Sequence, residues 1–557
     1  MRKRLFPISL IVLIAALSCG SIIKAQKSHD AAVARNMNTF NSIVKQIELY
    51  YVDSINTNQS FKAAIEAFLA STDPYTEYYS IEDQDQLQKM STGEYGGIGS
   101  YITERNGATF ISQPISGSPA DLSGLKPGDH IIRVDSIDTS KLPSSKVTKL
   151  LKGIPGTQVN ITVDRPYVQD SILSFHVTRA KVQEPSLVFD TIIGNIGYLR
   201  LSSFIDKTPA ETSAVFEKFK AHPNIEGIIL DLRGNGGGLV ESAIDLVGNF
   251  VPKGTEIVKT IGKDPLQEKT YKTRRNPMFE KTPLAVLIDG GSASASEIVA
   301  GSLQDMDRAV LIGSRSFGKG LVQQPTQLPY GELLKVTIAK YYLPSGRLIQ
   351  AIDYSHRNPD GSVARVPDSL TNVFRTLHGR EVRDGGGLRP DTTVEWPKIN
   401  RLVYNAVTDN WVFDFANKYA VEHSSLPAPQ DFEINDSIYS AFKASIDPDK
   451  FKYDKACEEM VEQLRKAVEN EGYMNEETKA GIDNLARLLV HNLDKDLDTH
   501  RNQLSEYLGA EIVSRYYKEK GKTAYELKSD NALKIATDIL SDQAKYKEIL
   551  NGTKGSR

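Results

Sequence analysis

Along the chain the spacing of apolar positions changes character three times. From about 30 to 92 it recurs every three or four residues, as in Phe40, Ile43, Val44, Ile47 and Tyr51 and again in Phe61, Ile65, Phe68 and Leu69, which predicts helices. Asp73-Pro74 breaks that period. Over 93–180 the pattern turns to short β-rich runs separated by turn residues: Gly96-Gly97-Ile98-Gly99, Ala108-Thr109-Phe110-Ile111, Gly128-Asp129-His130-Ile131-Ile132-Arg133-Val134 and Val159-Asn160-Ile161-Thr162-Val163. These runs predict a small separate module.

From 186 to 395 apolar strands alternate with helical stretches, the pattern of an α/β core. Strands are expected at 227–231 and 284–288, and helices at 240–250 and 294–304. Over 396–557 the chain is helical and charge-rich, with Ile482, Leu485, Leu488, Leu489 and Leu493 on one stripe. Acidic and basic residues balance around that stripe, which points to core or interface packing rather than a membrane surface. The expected fold class is multidomain α+β.

The 557 residues carry a formal net charge of −3, and no basic stripe marks a nucleic-acid partner. Residues 1–25 read as an export signal: Arg2, Lys3 and Arg4 precede the apolar run Leu5 to Leu17, which is short of the roughly 20 residues of a comfortable membrane span. Cleavage after Ala25 would leave a soluble protein, whereas a lipid on Cys19 would anchor it; an uncleaved anchor is the plainer alternative. Ala16 stands three before Cys19, where a larger aliphatic residue would suit a lipid anchor, so cleavage after Ala25 is the expectation. The expected location is the periplasm or cell envelope. Cys19 and Cys457 are the only cysteines, so packing rather than a disulfide framework must hold the fold. The nine histidines form no H-E-x-x-H, and neither a metal nor a cofactor is expected.

Three stretches carry candidate chemistry. In Asp289-Gly290-Gly291-Ser292-Ala293-Ser294-Ala295-Ser296-Glu297 a buried strand runs through a sharp turn into a helix. Such a turn exposes a side chain at its tip, and the helix N-terminus favours developing negative charge. Serines at a helix start also serve as caps, so spacing alone leaves Ser292, Ser294 and Ser296 open as cap or nucleophile. In Asp231-Leu232-Arg233-Gly234-Asn235-Gly236-Gly237-Gly238 a second strand enters a glycine-dense loop whose N–H groups could complete an oxyanion hole with that of Ala295. The third stretch, Gly313 to Gln323, fits G-x-x-x-x-G-K, but Gly320 stands where a phosphate loop needs a hydroxyl for magnesium. It also fits S-x-x-K at Ser316 and Lys319, yet Gly318 and Gly320 oppose the helix that arrangement needs. Apolar Phe317, Leu321 and Val322 around Lys319 suit a lysine whose charged form is disfavoured, as a general base requires.

Taken in order, these residues resemble the C-terminal processing peptidases, also called tail-specific proteases. The resemblance covers about 40–395 and rests on Asp73-Pro74, the β-rich module, the Asp231-Leu232-Arg233 loop, Ser294-Ala295-Ser296-Glu297, Phe317-Gly318-Lys319-Gly320 with Gln323, Tyr341-Tyr342-Leu343-Pro344-Ser345-Gly346 and Pro390-Asp391. It implies a peptidase core of the ClpP/crotonase-like type over 186–395, a PDZ-like domain inserted at 93–180, an N-terminal helical region at 30–92 and a helical extension at 396–557. It selects Ser294 as nucleophile and Lys319 as base, with Gln323 helping to hold the lysine. It also implies an oxyanion hole from the N–H groups of Ala295 and Gly237 or Gly238, and an accessory role for Asp305. Protein substrates with free C-termini are the implied partners, gripped at the carboxylate by the N–H groups around Gly97, Ile98 and Gly99 while the tail adds as a strand. The extension could form a homodimer or bind an adaptor. A scaffold or chaperone that binds tails without cutting them is the alternative reading.

Overall fold

The computed structural model describes residues 29–552 except 265, 267, 355, 359–361, 396–397, 452–455 and 491. The expected export signal, with Ala25 and Cys19, lies outside the described residues. The chain divides into two compact units, Met1–Ser71 and Thr72–Arg557.

In the first unit a helix over 29–50 is followed by Thr57–Ala70, which Asn56 caps by accepting the Gln59 N–H. Phe40 and Phe61 meet edge-on between the two helices, yet no residue of Thr57–Ala70 is buried.

The second unit is built on a six-stranded sheet. Its order is Leu187–Ile193, Ile196–Leu201, Gly227–Asp231, Leu284–Ile288, Val310–Gly313 and Thr392–Thr393. The first pair is antiparallel and the rest are parallel. Gly227–Asp231 and Leu284–Ile288 are buried at every position, which is why they read as unbroken apolar runs rather than as alternations. Val215, Phe216, Phe219, Ala243, Ile244, Val247, Ile298, Val299 and Leu303 pack one face from the helices Thr208–Ala221, Val240–Val247 and Ala295–Asp305. The other face is covered by Ala532, Leu533, Ala536, Ile539 and Leu540 of the helix Asn531–Ser541 and by Tyr546 beyond it. The tail of the extension is thus part of the core itself.

A second sheet carries the hairpin Leu321–Gln327 and Leu333–Tyr342, which pairs onward with Glu77–Tyr79 and Glu256–Gly262. The β-rich module forms its own sheet, with Ser100–Arg105 at one edge, and closes around Ile111, Ile131, Val147, Leu151, Val159 and Ile161.

The C-terminal helices have a core of their own, around Leu402, Phe415, Phe442, Leu504, Leu508 and Ile512. Their long helix Arg501–Glu526 bends at Lys518, whose φ is +57°. Lys518 Nζ reaches both carboxylate oxygens of Asp121 in the β-rich module at 2.7 Å, and the Arg105 guanidinium lies 3.3 Å over the Phe413 ring. Further along, Asp530 caps Asn531–Ser541 through Oδ1 and takes Arg233 Nη2 on Oδ2 at 2.6 Å. Of the expected stripe, Ile482 is buried while Leu485 and Leu488 are exposed. No helix among the described residues is long and apolar enough to cross a membrane.

Candidate active site

The chain leaves the buried strand Leu284–Ile288, turns at Asp289, and enters the helix Ala295–Asp305. Asp289 Oδ1 organises the turn by accepting the N–H groups of Gly234, Gly291 and Ser292. Ser292 and Ser296 are fully buried and spend their hydroxyls on the carbonyls of Leu232 and Asn235, so they fasten the glycine loop. Ser294 differs. It sits at the tip with φ +55° and ψ −114°, a strained conformation for a residue with a Cβ, and lines a cleft of about 610 Å³.

The glycine loop lies against that tip. A methyl at Gly237 would come within 2.8 Å of Ser294 Cβ and 2.9 Å of the Ala295 nitrogen, so only glycine fits. The Gly237 N–H is already used by Asn235 Oδ1 at 2.9 Å, whereas the N–H groups of Gly238 and Ala295 have no acceptor among the described residues. The donor pair left available at Ser294 is therefore Gly238 with Ala295. Arg233 fixes the base of the loop, bonding both oxygens of buried Asp231 while also holding Asp530.

Glu297 is the residue that the sequence reading passed over. It is fully buried on the first turn of the helix, and its carboxylate accepts four hydrogen bonds: from Ser294 N–H at 2.9 Å, Ser316 Oγ at 2.5 Å, Gly318 N–H at 2.8 Å and Lys319 N–H at 2.9 Å. Burial pushes its pKa up to about 7 against the pull of those donors. The resemblance of this stretch to a phosphate loop thus has a physical core: its N–H groups do converge on an anion, and the anion is Glu297. Ser316 is equally committed, buried, donating to Glu297 and accepting Leu388 N–H at 2.7 Å, and it shares no helix with Lys319. The S-x-x-E spacing of Ser294 and Glu297, a capping-box signature, was the available signal.

Lys319 lines the same cleft as Ser294. Burial is the main cause that brings its pKa down to about 8, with nearby Lys335 adding to it and Asp73, Glu77 and Glu297 opposing. Its Nζ lies 4.2 Å from the centre of the Tyr75 ring, and no hydrogen bond joins it to Ser294 among the described residues. Tyr341 Oη donates to the carbonyls of Lys319 and Ser294, tying the two main chains together. Gln323 also lines the cleft; its Nε2 donates to Thr337 Oγ1 at 3.1 Å, and no hydrogen bond from Lys319 Nζ reaches its Oε1 among the described residues.

Asp305 stands apart. It ends the helix some 16 Å from Ser294, eleven residues at about 1.5 Å rise each. There it pairs with buried Arg347 at 2.7 Å and accepts the Ser345 N–H. In the β-rich module the N–H groups of Ile98 and Gly99 have no acceptor among the described residues, while their carbonyls hold Ala120 N–H, Ile115 N–H and Ser118 Oγ. Gly97 belongs to the strand Glu94–Gly97, paired with Ala180. Tyr101 and Lys152 of this module line the cleft that contains Ser294.

Residues 195–360 match the sequence profile of peptidase family S41, residues 86–164 that of the PDZ domain, and residues 402–540 that of the C-terminal helical domain of a probable PDZ-protease. The chain is 34% identical to the carboxy-terminal-processing protease of Bartonella bacilliformis over 376 residues, 66% of this chain and 85% of that protein. It is 27% identical over 470 residues to a probable CtpA-like serine protease of Staphylococcus aureus, covering 83% of each. The solved structure of a photosystem II D1 C-terminal processing protease overlaps 63% of this chain and 86% of that one, with 26% identity and a TM-score of 0.36.

Proposed function

Because the chain belongs to peptidase family S41, as a serine-type carboxy-terminal-processing peptidase with a PDZ domain, we propose that it cuts proteins with a Ser294–Lys319 dyad. The observation that carries this reading is that Ser294, Lys319 and Gly238 line one cleft, while the N–H groups of Gly238 and Ala295 have no acceptor among the described residues. Neutral Lys319 takes the Ser294 proton, Ser294 attacks the scissile carbonyl, and the oxyanion develops toward Gly238 and Ala295. Lys319 then returns the proton to the leaving amine, and water releases the acyl-enzyme.

The substrate tail adds to the free edge strand Ser100–Arg105, with its terminal carboxylate on the N–H groups of Ile98 and Gly99. Tyr101 on that strand lines the cleft of Ser294, so a bound tail has a continuous path to the nucleophile. Gln323 acts indirectly, by bracing Thr337 on the neighbouring strand. Export directed by residues 1–25, with cleavage after Ala25, would put this activity in the periplasm or cell envelope. A lipid on Cys19 is the variant of that scheme. The exposed side chains Met460, Leu464 and Leu488 on the C-terminal helices, and Tyr473 in the connection between two of them, offer apolar surface for a second copy or an adaptor.

The test is cleavage of a tailed substrate by purified wild type, Ser294→Ala and Lys319→Ala. Both variants are expected to fold and to leave the substrate intact, and an amidated tail should be cut poorly by the wild type. Normal cleavage by Ser294→Ala would overturn the reading. A wild type that binds tails but never labels with a serine-directed probe would instead favour a scaffold.

A further inference from the structure

Tyr75 belongs to none of the catalytic stretches, yet its ring face is the group that meets the ammonium of Lys319, 4.2 Å from centroid to Nζ. The turn that carries it is fastened on both sides. Asp73 Oδ1 accepts the N–H groups of Tyr75 and Thr76 at 2.8 Å, Asp73 Oδ2 accepts Thr76 Oγ1, and Thr76 Oγ1 in turn accepts the Thr337 N–H. The ring is steadied by Tyr354, which it meets edge-on with the hydroxyls 3.4 Å apart. The other charged groups facing Lys319 are Asp73 on this turn, Glu77 on the following strand, Lys335 on the strand behind and Glu297 on the helix below. None of them forms a salt bridge or hydrogen bond with Nζ among the described residues, so the aromatic face is what meets the ammonium directly.

We propose that Tyr75 is a positioning residue for the general base: its ring holds the Lys319 ammonium off Ser294 and lets it go when the proton is lost to solvent. This rests on the Ser294–Lys319 reading. A ring face attracts the cation and has little hold on a neutral amine, so deprotonation and release are a single event. The amine that is free to swing toward Ser294 is the form able to take its proton.

The experiment follows the rate at which a fluorophosphonate labels Ser294 in the full-length protein, as a function of pH. Tyr75→Leu removes the aromatic face but keeps apolar bulk, and should lower the midpoint of the rising limb by about half to one pH unit. Tyr75→Phe should retain the wild-type midpoint. A ring-fluorinated phenylalanine at position 75, nearly the same in shape but with a depleted face, should shift as the leucine does, which keeps the question decidable if the leucine variant does not fold. If Lys319→Ala labels with the wild-type rate and pH dependence, the dyad reading falls and this proposal with it. If Lys319→Ala is inert while the leucine and fluorinated variants titrate at or above the wild-type midpoint, the dyad stands and the role of Tyr75 is overturned.

Discussion

One oxygen of Glu297, Oε2, accepts the main-chain N–H of Ser294 and that of Lys319, each at 2.9 Å. The proposed nucleophile and base stand 25 residues apart in sequence, 319 − 294, and are brought into register by a carboxylate that hydrogen-bonds their main chains and, among the described residues, neither the hydroxyl nor the amine. Exchange of its carboxylate for an amide, Glu297→Gln, turns two of the four accepting positions into donors that confront Ser316, Gly318 or the two N–H groups. The expected cost is about 1–3 kcal/mol of stability for buried groups left unpaired. Misplacement of the dyad by a fraction of an ångström to an ångström should lower kcat by about two orders of magnitude. Urea unfolding and cleavage kinetics measure both, and an unchanged kcat would contradict the role.

Lys319 makes a second prediction through its charge. Its pKa in the fold, about 8, lies below the 10.5 of an exposed lysine, so between those values the unfolded chain binds more protons than the folded one. Wild-type stability from this group therefore rises as pH climbs through that window. At pH 7 the buried ammonium is a burden, and Lys319→Met should be inactive but more stable by about 1–3 kcal/mol, allowing for partial solvent screening. The advantage should fade toward pH 10.5, which paired urea titrations at the two pH values would reveal.

Strain at Ser294 leads to a third. A positive φ is open to glycine without cost, so Ser294→Gly should be inactive yet stabilised by about 1 kcal/mol, while Ser294→Ala keeps the strain and gains nothing. Thermal unfolding of the two variants side by side decides this.

Much of the site was legible because it is local. Strand, turn and helix around Ser294 follow one another within the sequence stretch that encodes them, and the parallel strands announced themselves as apolar runs. What escaped the reading was assembled from distant segments. Tyr75 and Tyr341 contact Lys319 across long separations, and nothing in the spacing of either residue records that contact. The apolar positions of Asn531–Ser541 say that a face is buried but not that its partner is the central sheet. At Leu485 and Leu488 the same kind of periodicity marked a stripe that is left exposed. Ser316, which matched a catalytic pattern, proved to be an internal prop for Glu297.

Asp530 supports a fourth prediction. Asp530→Asn preserves a good helix cap but removes a charge opposite Arg233, which also pairs with buried Asp231. A cost of about 1–3 kcal/mol is expected from the weakened pair. Because Arg233 anchors the loop that carries Gly238, kcat should fall several-fold with little change in KM. A smaller folded fraction would also lower apparent kcat alone, so kcat is referred to sites titrated with a serine-directed probe, and an unchanged kcat per titrated site would point to general destabilisation instead.

The bend at Lys518 governs how this extension tolerates change. Each residue of an α-helix turns the chain by about 100° and advances it by about 1.5 Å. Removing one residue between Arg501 and Tyr517 would swing Lys518 more than a quarter turn from Asp121, while substitutions on the outer face of the same helix would leave its direction intact. The segment is therefore read by phase as well as by composition: its side chains are free to drift, but its length is locked to the distance and angle at which the PDZ domain must be met.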